Sequence, residues 1–411
     1  MNREDLPSLL LLPYPPNPLS CDALEAAYRP PLRSALGKVK RASAASKLIV
    51  AVAWPGLHGQ FLYSKTLSWT DAQALVAGIY GILSVVCAQL GIGTEVDGGP
   101  NSVDTTVVLI DDDRAKRYAD DFRPSITPNN TAIIDMPTFA SAFFPWNRIF
   151  SVRTELGFQV FQTYLRLAEG RQTLLQKQLV HVEGGLTLSM AKSSTVPAAL
   201  PPQSPSYPVV CLGGTFDYLH PGHKLLLTAG ALLLRIPRMG AGDYTPTPCR
   251  YIIGVTGDEM LRNKKFAEYV QPWEVRARNV IYFLAQLLEL RPRGWKDGAR
   301  THIDEQPGKF TATFRERTIE IQCVIFQDIY GPTVAIREIE ALIVSGETRA
   351  GGRAVNEKRI SQGWLPLVVY EVDVLDAKDK SDEDGSTENF ATKISSSTIR
   401  QQRAARGGMK I

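Results

Sequence analysis

The sequence predicts an α/β protein with parallel sheets, and three observations lead to this prediction. Runs of apolar residues with the length of strands alternate with stretches of helical spacing in both halves of the 411-residue chain. The strand runs are apolar throughout, which is typical of parallel strands buried on both faces. A segment rich in Pro, Ser and Ala separates the two halves, so we expect two domains.

The N-terminal half contains two predicted strands, residues 47–54 and 105–110, and two predicted helices, residues 71–90 and 153–167. Residues 72–94 carry no charge, so a membrane span is one interpretation of the first helix. Three polar side chains within it and a Ser-Trp-Thr-Asp helix start favour the alternative, a buried core helix. The isolated polar residues of this half have no spacing that assembles a site.

Composition indicates the compartment and the class of partner. The first residues, MNREDLPSLLLLPYPPNP, lack the basic and long apolar regions of a signal peptide. Five cysteines are scattered without a Cys-x-x-Cys pair, which indicates free thiols in a reducing compartment. We therefore expect a cytoplasmic location, with the nucleus as a further one. A net charge of +4 without a dense Lys/Arg block points away from nucleic acid and membranes as partners.

The domain prediction assigns residues 1–190 to an N-terminal α/β domain without a predicted role, residues 191–207 to the linker and residues 208–411 to a C-terminal domain. In the C-terminal domain the predicted strands are residues 209–212, 251–256, 319–326 and 340–345, and the predicted helices follow His220 and span residues 273–290. Residues 291–317 and the acidic run 376–388 are predicted to be surface loops. Parallel sheets bind ligands at the carboxyl ends of their strands, and the motifs below follow these strands.

The stretch GGTFDYLHPGHK, residues 213–224, follows the first of these strands. Glycines let the backbone approach a bulky anion, and Pro221 suits the first turn of a helix. A helix N-terminus offers free N–H groups, so phosphate is the expected ligand. We expect His220 and His223 to face it. The alternative is that the two histidines cap the helix, although a protonated histidine opposes the dipole at that end.

The second motif is ISSSTIR, residues 394–400. Consecutive hydroxyls at a helix start can cap the helix or donate to phosphate oxygens, and Arg400 lies one turn further on. By itself a serine run is typical of a cap and loop. Its combination with the histidine motif is the informative feature.

GTFDxxHxGH followed by a late ISSSTIR resembles the nucleotidyltransferase superfamily, whose members have a Rossmann-like domain. Four stretches resemble the eukaryotic-type phosphopantetheine adenylyltransferases more specifically: residues 254–266, 271–284, 328–333 and VSGETRAGGRAVNEKR, residues 344–359. The resemblance covers residues 208–406. It implies transfer of the adenylyl group of ATP to 4'-phosphopantetheine, giving dephospho-coenzyme A and pyrophosphate.

The resemblance also implies roles for individual residues. His220, His223 and one of Lys264 and Lys265 are the implied catalytic residues. The implied acceptor-binding residues are Thr215, Lys264, Lys265, Arg276 and Arg349. The implied ATP-binding residues are Gly213, Gly214, Thr215, Phe216, His223, Ser345, Gly346, Glu347, Thr348, Ser395, Ser396, Ser397, Thr398 and Arg400, with Gly351 and Gly352 at the adenine and ribose end. The bacterial branch has Arg-Gly-x-Arg where this chain has Ser-Gly-Glu-Thr-Arg, which leaves Arg276 and Arg349 as alternative ligands of the acceptor phosphate.

The chemistry of such a transfer needs no strong general base. The attacking phosphate has a second pKa near 6 and is mostly ionised at neutral pH. Alignment of two polyanions and cancellation of charge on the departing pyrophosphate are what the protein supplies. Mg²⁺ is expected to arrive with ATP, held by its phosphates, and no protein metal site is predicted.

Two alternatives stay open at this point. The acceptor can be another phosphorylated molecule, such as nicotinamide mononucleotide, with ATP or CTP as donor. The chain can instead be a scaffold whose N-terminal half gathers other enzymes of coenzyme A synthesis, and both roles can coexist. Because no Walker-type glycine loop occurs in the sequence, we expect no dephospho-coenzyme A kinase activity.

Overall fold

The computed structural model describes residues 3–54, 57–58, 66–96, 98–112, 132–142, 145–170, 173–186, 205–237, 247–289, 301–372 and 395–407. Its contacts divide the chain into two compact units, and the main body of the second unit begins at Pro205. Most of the predicted linker and the acidic run 376–388 lie outside the described residues. The predicted domain boundaries at residues 190 and 208 therefore stay a prediction.

The N-terminal unit is built on a parallel sheet in the order β6-β5-β2-β1-β7-β8. In chain order the strands are β1 (Ser8–Leu12), β2 (Ser46–Trp54), β3 (Leu57–His58), β4 (Thr66–Leu67), β5 (Val103–Asp111), β6 (Ile134–Asp135), β7 (Ile149–Val152) and β8 (Leu179–Val182), with β3 and β4 forming a separate antiparallel pair. The helices are α1 (Cys21–Val39), α2 (Trp69–Gln89), α3 (Met136–Ala142) and α4 (Glu155–Ala168).

Local sequence explains where the longer of these helices begin. Ser20, Ser68 and Thr154 precede α1, α2 and α4, and each side-chain oxygen accepts from the backbone N–H three residues on. Helix α2 is long and apolar enough to cross a membrane by length and composition, and 67% of its most apolar window is buried inside the protein. That burial is typical of a core helix.

The C-terminal unit contains a seven-stranded sheet in the order β11-β12-β13-β10-β9-β14-β15. Its strands are β9 (Val209–Gly214), β10 (Cys249–Thr256), β11 (Asp304–Gln306), β12 (Lys309–Phe314), β13 (Ile319–Phe326), β14 (Ala341–Ser345) and β15 (Val368–Val372), and its helices are α5 (Pro221–Ala231), α6 (Trp273–Glu289), α7 (Arg349–Ser361) and α8 (Ser396–Gly407). Strands β13, β10, β9, β14 and β15 are parallel, whereas β11 and β12 are antiparallel additions at one edge.

Both units share one strand order. Numbered along the chain, the parallel strands of the C-terminal sheet lie in the order 3-2-1-4-5, as in doubly wound nucleotide-binding folds. The N-terminal sheet repeats this order with β5, β2, β1, β7 and β8, and β6 lies outside β5. The order reverses between β9 and β14, so a ligand crevice is expected at the carboxyl ends of those two strands. The predicted α/β class with parallel sheets is confirmed.

The prediction of a surface loop at residues 291–317 is wrong for its second part. Residues 304–306 and 309–314 form the hairpin of β11 and β12, which pairs with β13. In β12 the side chains of Phe310, Ala312 and Phe314 are buried in alternation with more exposed ones. This period of two is the pattern of a half-buried strand.

Candidate active site

The turn after β9 leads into the N-terminus of α5 and carries both motif histidines. His220 is the residue before the helix, with extended backbone, and Pro221 is the first helical residue. The side chain of His220 makes no capping hydrogen bond. The capping interpretation is therefore wrong for this histidine, whose side chain leaves the first-turn N–H groups of α5 uncapped.

The two imidazole rings stack on each other with centroids 3.9 Å apart, and the Phe216 ring lies 5.3 Å from that of His223. Burial, helped by the charge of Lys224, lowers the pKa of His220 to about 4. Burial also lowers the pKa of His223, with His220 and Arg276 as further causes. The lowered pKa values favour the uncharged form of both rings at neutral pH.

The backbone of this turn is held in an uncommon conformation. Phe216 and Tyr218 have φ values of 52° and 44°, in the left-handed region that costs non-glycine residues energy. The backbone N–H of Tyr218 donates to Oε1 of Gln271 at 2.8 Å, which helps to hold the turn. A Cβ on Gly214 would lie 2.9 Å from the Phe216 ring, so only glycine fits there without displacing the ring.

A buried ion pair joins the two motifs. Asp217, fully buried, accepts from Nη1 of Arg400 at 2.6 Å and from the backbone N–H of Gln271 at 3.0 Å. The backbone oxygen of Asp217 also accepts from Ser396 Oγ at 2.8 Å. Helix α8 is thereby fixed beside the histidine turn, although 183 residues separate Asp217 from Arg400.

The hydroxyl groups at the start of α8 have different tasks. Ser395 Oγ accepts from the backbone N–H of Thr398, which is a helix cap. Ser397 Oγ accepts from Arg400 Nη2 at 3.0 Å and is exposed, so its own proton can still be donated to a ligand. Ser395 is thus a helix cap, whereas the phosphate-donor interpretation stays a prediction for Ser397.

Arg276 lies under the turn with its guanidinium bound by the protein. It donates to the backbone oxygens of Gln271, Thr215 and Thr256 at 2.6–2.8 Å and to Oδ1 of Asp258 at 2.5 Å. Its side chain is fully buried. It therefore ties β9, β10 and α6 together at the carboxyl edge of the sheet.

The turn after β10 carries both candidate lysines. Lys264 and Lys265 are exposed, and the backbone oxygen of Lys265 accepts from Arg400 Nε at 3.0 Å. Arg400 thus connects the lysine turn as well as the histidine turn to α8. Exposed ammonium groups in this place can reach a polyanion at the carboxyl edge.

The turn after β14 lies on the other side of the crevice. Thr348 Oγ1 accepts from the backbone N–H of Ser345 at 3.0 Å, which closes the short helical turn that leads into α7. Arg349 is exposed and forms a bidentate ion pair with Glu371 of β15. At the far end of α7, buried Arg359 donates to five backbone oxygens between residues 333 and 365, which fixes the helix against the sheet.

The structure thus places every predicted site residue at the carboxyl edge of the C-terminal sheet. Hydrogen bonds link the turns after β9 and β10 with α8, whereas the turn after β14 is placed by its strand. Sequence reasoning missed Asp217 and Gln271 as organising residues. The position of Asp217 inside the GTFD stretch was the available signal, although nothing in the sequence identifies its partner.

The equivalent place in the N-terminal unit is different. After β1 the chain continues with PYPPNPLS, residues 13–20, whose four prolines have no backbone N–H to offer a phosphate. Within the described part of the chain, no group of three or more His, Cys, Asp and Glu side chains is arranged to hold a metal ion.

Comparison with known proteins separates the two halves. Residues 1–188 match a family model described as "Domain of unknown function (DUF8446)". The chain is 33% identical over 201 residues to "Phosphopantetheine adenylyltransferase" of Saccharomyces cerevisiae, covering 49% of this chain and 50% of that protein. It is 32% identical over 191 residues to "Phosphopantetheine adenylyltransferase" of Pyrococcus abyssi, covering 46% of this chain and 87% of that protein.

A solved structure of a protein of unknown function from Archaeoglobus fulgidus is 27% identical, with a TM-score of 0.25, over 40% of this chain and 97% of that one. The chain spans about half the length of the yeast relative and most of the archaeal one. At 32% identity over 87% of the archaeal protein, the chain belongs to the phosphopantetheine adenylyltransferase family.

Proposed function

We propose that the C-terminal unit, residues 208–411, transfers the adenylyl group of ATP to 4'-phosphopantetheine, giving dephospho-coenzyme A and pyrophosphate. This is the penultimate step of coenzyme A synthesis, and the eukaryotic-type branch is the proposed subfamily. The observation that carries the proposal is the Asp217–Arg400 ion pair, which fixes the serine-rich helix start beside the histidine turn. Two phosphate-binding elements then lie at one edge of the sheet.

The reaction needs one bond to form and one to break. An oxygen of the acceptor phosphate attacks the α-phosphorus of ATP, and the bond to the β-phosphate oxygen breaks, releasing pyrophosphate. The attacking oxygen is already ionised, so no residue has to remove a proton. The protein contributes alignment and stabilisation of charge.

His220 and His223 serve as neutral hydrogen-bond donors to the transferring phosphate, because burial lowers their pKa values. The uncapped N–H groups at the start of α5 add to this site, and Thr215 and Phe216 shape its wall. Lys264 or Lys265 neutralises the acceptor phosphate and the reacting α-phosphate. Here a lysine suits the task because its flexible stem carries a compact charge.

The triphosphate end of ATP lies against the start of α8, where Ser397 and the neighbouring hydroxyls donate. Arg400 acts there by holding the helix and adding its charge. The base and ribose lie against the turn of Ser345, Gly346, Glu347 and Thr348, between β14 and α7, with Gly351 and Gly352 beside them. Mg²⁺ enters as part of the MgATP substrate and is held by its phosphates.

Arg276 and Arg349 differ in what they can offer the acceptor. Four protein acceptors already occupy the guanidinium of Arg276. Arg349 is exposed and pairs with Glu371 at the protein surface. We assign the direct role to Arg349 and a supporting role under Thr215 to Arg276.

His223→Ala tests the function. The variant should lose most turnover while its melting temperature stays near that of the wild type, and His302→Ala, an exposed histidine of the same unit, should keep full activity. A His223→Ala protein with unchanged activity contradicts the mechanism. Conversion of the product to coenzyme A by the purified chain contradicts the expectation that it has no kinase activity.

The N-terminal unit has a separate proposed role, as a surface for other enzymes of coenzyme A synthesis in the cytoplasm or nucleus. Its proline-rich first turn supports a role other than phosphate chemistry. A protein that begins at Ser204 and keeps full adenylyl transfer makes the unit dispensable for the reaction. Loss of activity in that protein assigns it a part in catalysis or folding instead.

A further inference from the structure

Helix α6 carries a buried amide that has no hydrogen-bond partner in the described structure. Asn279 is 1% exposed, and both its Nδ2 and its Oδ1 are unpaired. Folded proteins pair nearly all buried polar atoms, because an unpaired one retains the cost of leaving water. A buried asparagine without a partner therefore suggests that its amide binds a group or a water molecule in the functional protein.

Asn279 lies one helical turn after Arg276 on α6, and Arg276 lies beside the histidine turn. Arg276 lies three residues earlier, and residues three apart share one face of a helix. The guanidinium of Arg276 holds the backbone oxygens of Thr215 and Thr256 and lies close enough to His223 to lower its pKa. Helix α5, whose first turn contains His223, packs against α6.

His223 also has a buried atom without a hydrogen-bond partner. Its Nδ1 is buried and has no hydrogen-bond partner either. A functional histidine usually has one ring nitrogen anchored, since that bond selects the tautomer and orientation of the other nitrogen. The rings of Phe216 and His220 hold the plane of the imidazole but cannot select its tautomer.

We infer that Asn279 is the positioning residue of His223: its Nδ2 donates to a bound water that in turn donates to Nδ1 of His223, and this bridge keeps the proton on Nε2. The tautomer that results presents Nε2–H to a phosphate oxygen. This inference rests on the proposed function for its kinetic part and on the geometry of α5 and α6 for its structural part. Asn279 acts through His223 and does not touch the substrate.

Asn279→Leu tests it, because leucine is close in size and has no polar atoms. We expect kcat to fall about 10–100-fold, the range typical when the orienting partner of a histidine is lost. The KM of each substrate should stay within about threefold, and the melting temperature should not fall, since two unpaired polar atoms are removed. In a His223→Ala background the substitution should have no further effect on kcat.

Asn356→Leu is the matched control. Asn356 is a partly buried asparagine of helix α7, and its amide both donates to and accepts from the backbone of Leu367, at 3.0 and 2.8 Å. Its replacement should lower the melting temperature. Any effect of Asn356→Leu on kcat should be the same in the His223→Ala background as in the wild-type background.

A second measurement does not need activity. Side-chain ¹⁵N spectra of the full chain contain five histidines, and His223 is identified by its variant. The wild type should show the Nε2–H tautomer of His223, and Asn279→Leu should shift this signal toward a tautomer mixture. The charged groups that face His223 or its stacked neighbour, Arg276 and Lys224, are unchanged in this variant.

Unchanged kcat together with unchanged ¹⁵N shifts of His223 in Asn279→Leu overturns the inference. If the wild type releases no pyrophosphate with any acceptor, the proposed function fails, and the ¹⁵N shifts still decide whether Asn279 positions His223.

Discussion

Asp217→Asn should loosen the C-terminal unit and release helix α8 from the histidine turn. Both carboxylate oxygens of Asp217 are used, one by the backbone of Gln271 and one by Arg400. Asparagine keeps the size and one acceptor, but it removes the negative charge. Arg400, whose side chain is 3% exposed, then remains as a buried cation without its counter-charge.

The expected magnitude follows from that burial. Removal of one partner of a buried ion pair costs about 3–5 kcal/mol, because the other charge stays away from water. For a unit of this size, each kcal/mol lowers the melting temperature by about 2–4 °C. The melting temperature of the C-terminal unit should therefore fall by about 6–20 °C, and the amide hydrogens of α8 should exchange with solvent faster than in the wild type.

Thermal melting and hydrogen exchange of the full chain measure both effects. Glu305→Gln is the control, since it breaks an ion pair with Arg278 at 2.6 Å in which both side chains are more than a third exposed. Such pairs contribute at most about 1 kcal/mol. The reasoning is refuted if Asp217→Asn melts together with the control and α8 exchanges as in the wild type.

Three further predictions concern the same site. The pKa of His220 is lowered to about 4 in the folded state, so the unfolded state binds more protons between about pH 6.5 and 4. The free energy of unfolding should therefore fall as the pH is lowered through this window, by roughly 3 kcal/mol at most from this group. Denaturant titrations of His220→Phe should show a smaller fall. Gly214→Ala should lower kcat at least tenfold in steady-state assays, because the added Cβ displaces the Phe216 ring, and an unchanged kcat would show that the ring can move without cost. Arg349→Met should raise the KM for phosphopantetheine and leave the melting temperature within about 2 °C of the wild type, since the side chain is 61% exposed. Arg276→Met should lower the melting temperature, because its guanidinium holds backbone oxygens of the site. The reverse pattern would exchange the roles of the two arginines.

Local signals allowed much of the C-terminal unit to be predicted from the sequence. Strand β13 has the predicted bounds, residues 319–326, because its apolar run ends at polar residues on both sides. The helix start at Pro221 also agrees, since a proline after an extended residue is a strong local signal. The hairpin of β11 and β12 was missed, because charged residues around it hide an alternation that spans only six positions.

The features that organise the site are long-range, and a single sequence does not reveal them. Nothing local distinguishes Asp217 as the partner of Arg400, since the pair forms only when β9 and α8 meet in the fold. Likewise, Arg276 was predicted as a substrate ligand from its position in a motif, while its partners are backbone oxygens that only the tertiary structure brings together. The strand order shared by the two units also emerges from pairing and not from any similarity in their motifs.

The decisive measurement of the proposed function is pyrophosphate release by the purified chain with MgATP and a panel of phosphorylated acceptors. We expect release with 4'-phosphopantetheine, formation of dephospho-coenzyme A in equal amount, and little of either from His223→Ala. Preference for nicotinamide mononucleotide or another acceptor, or equal release by His223→Ala, would contradict it.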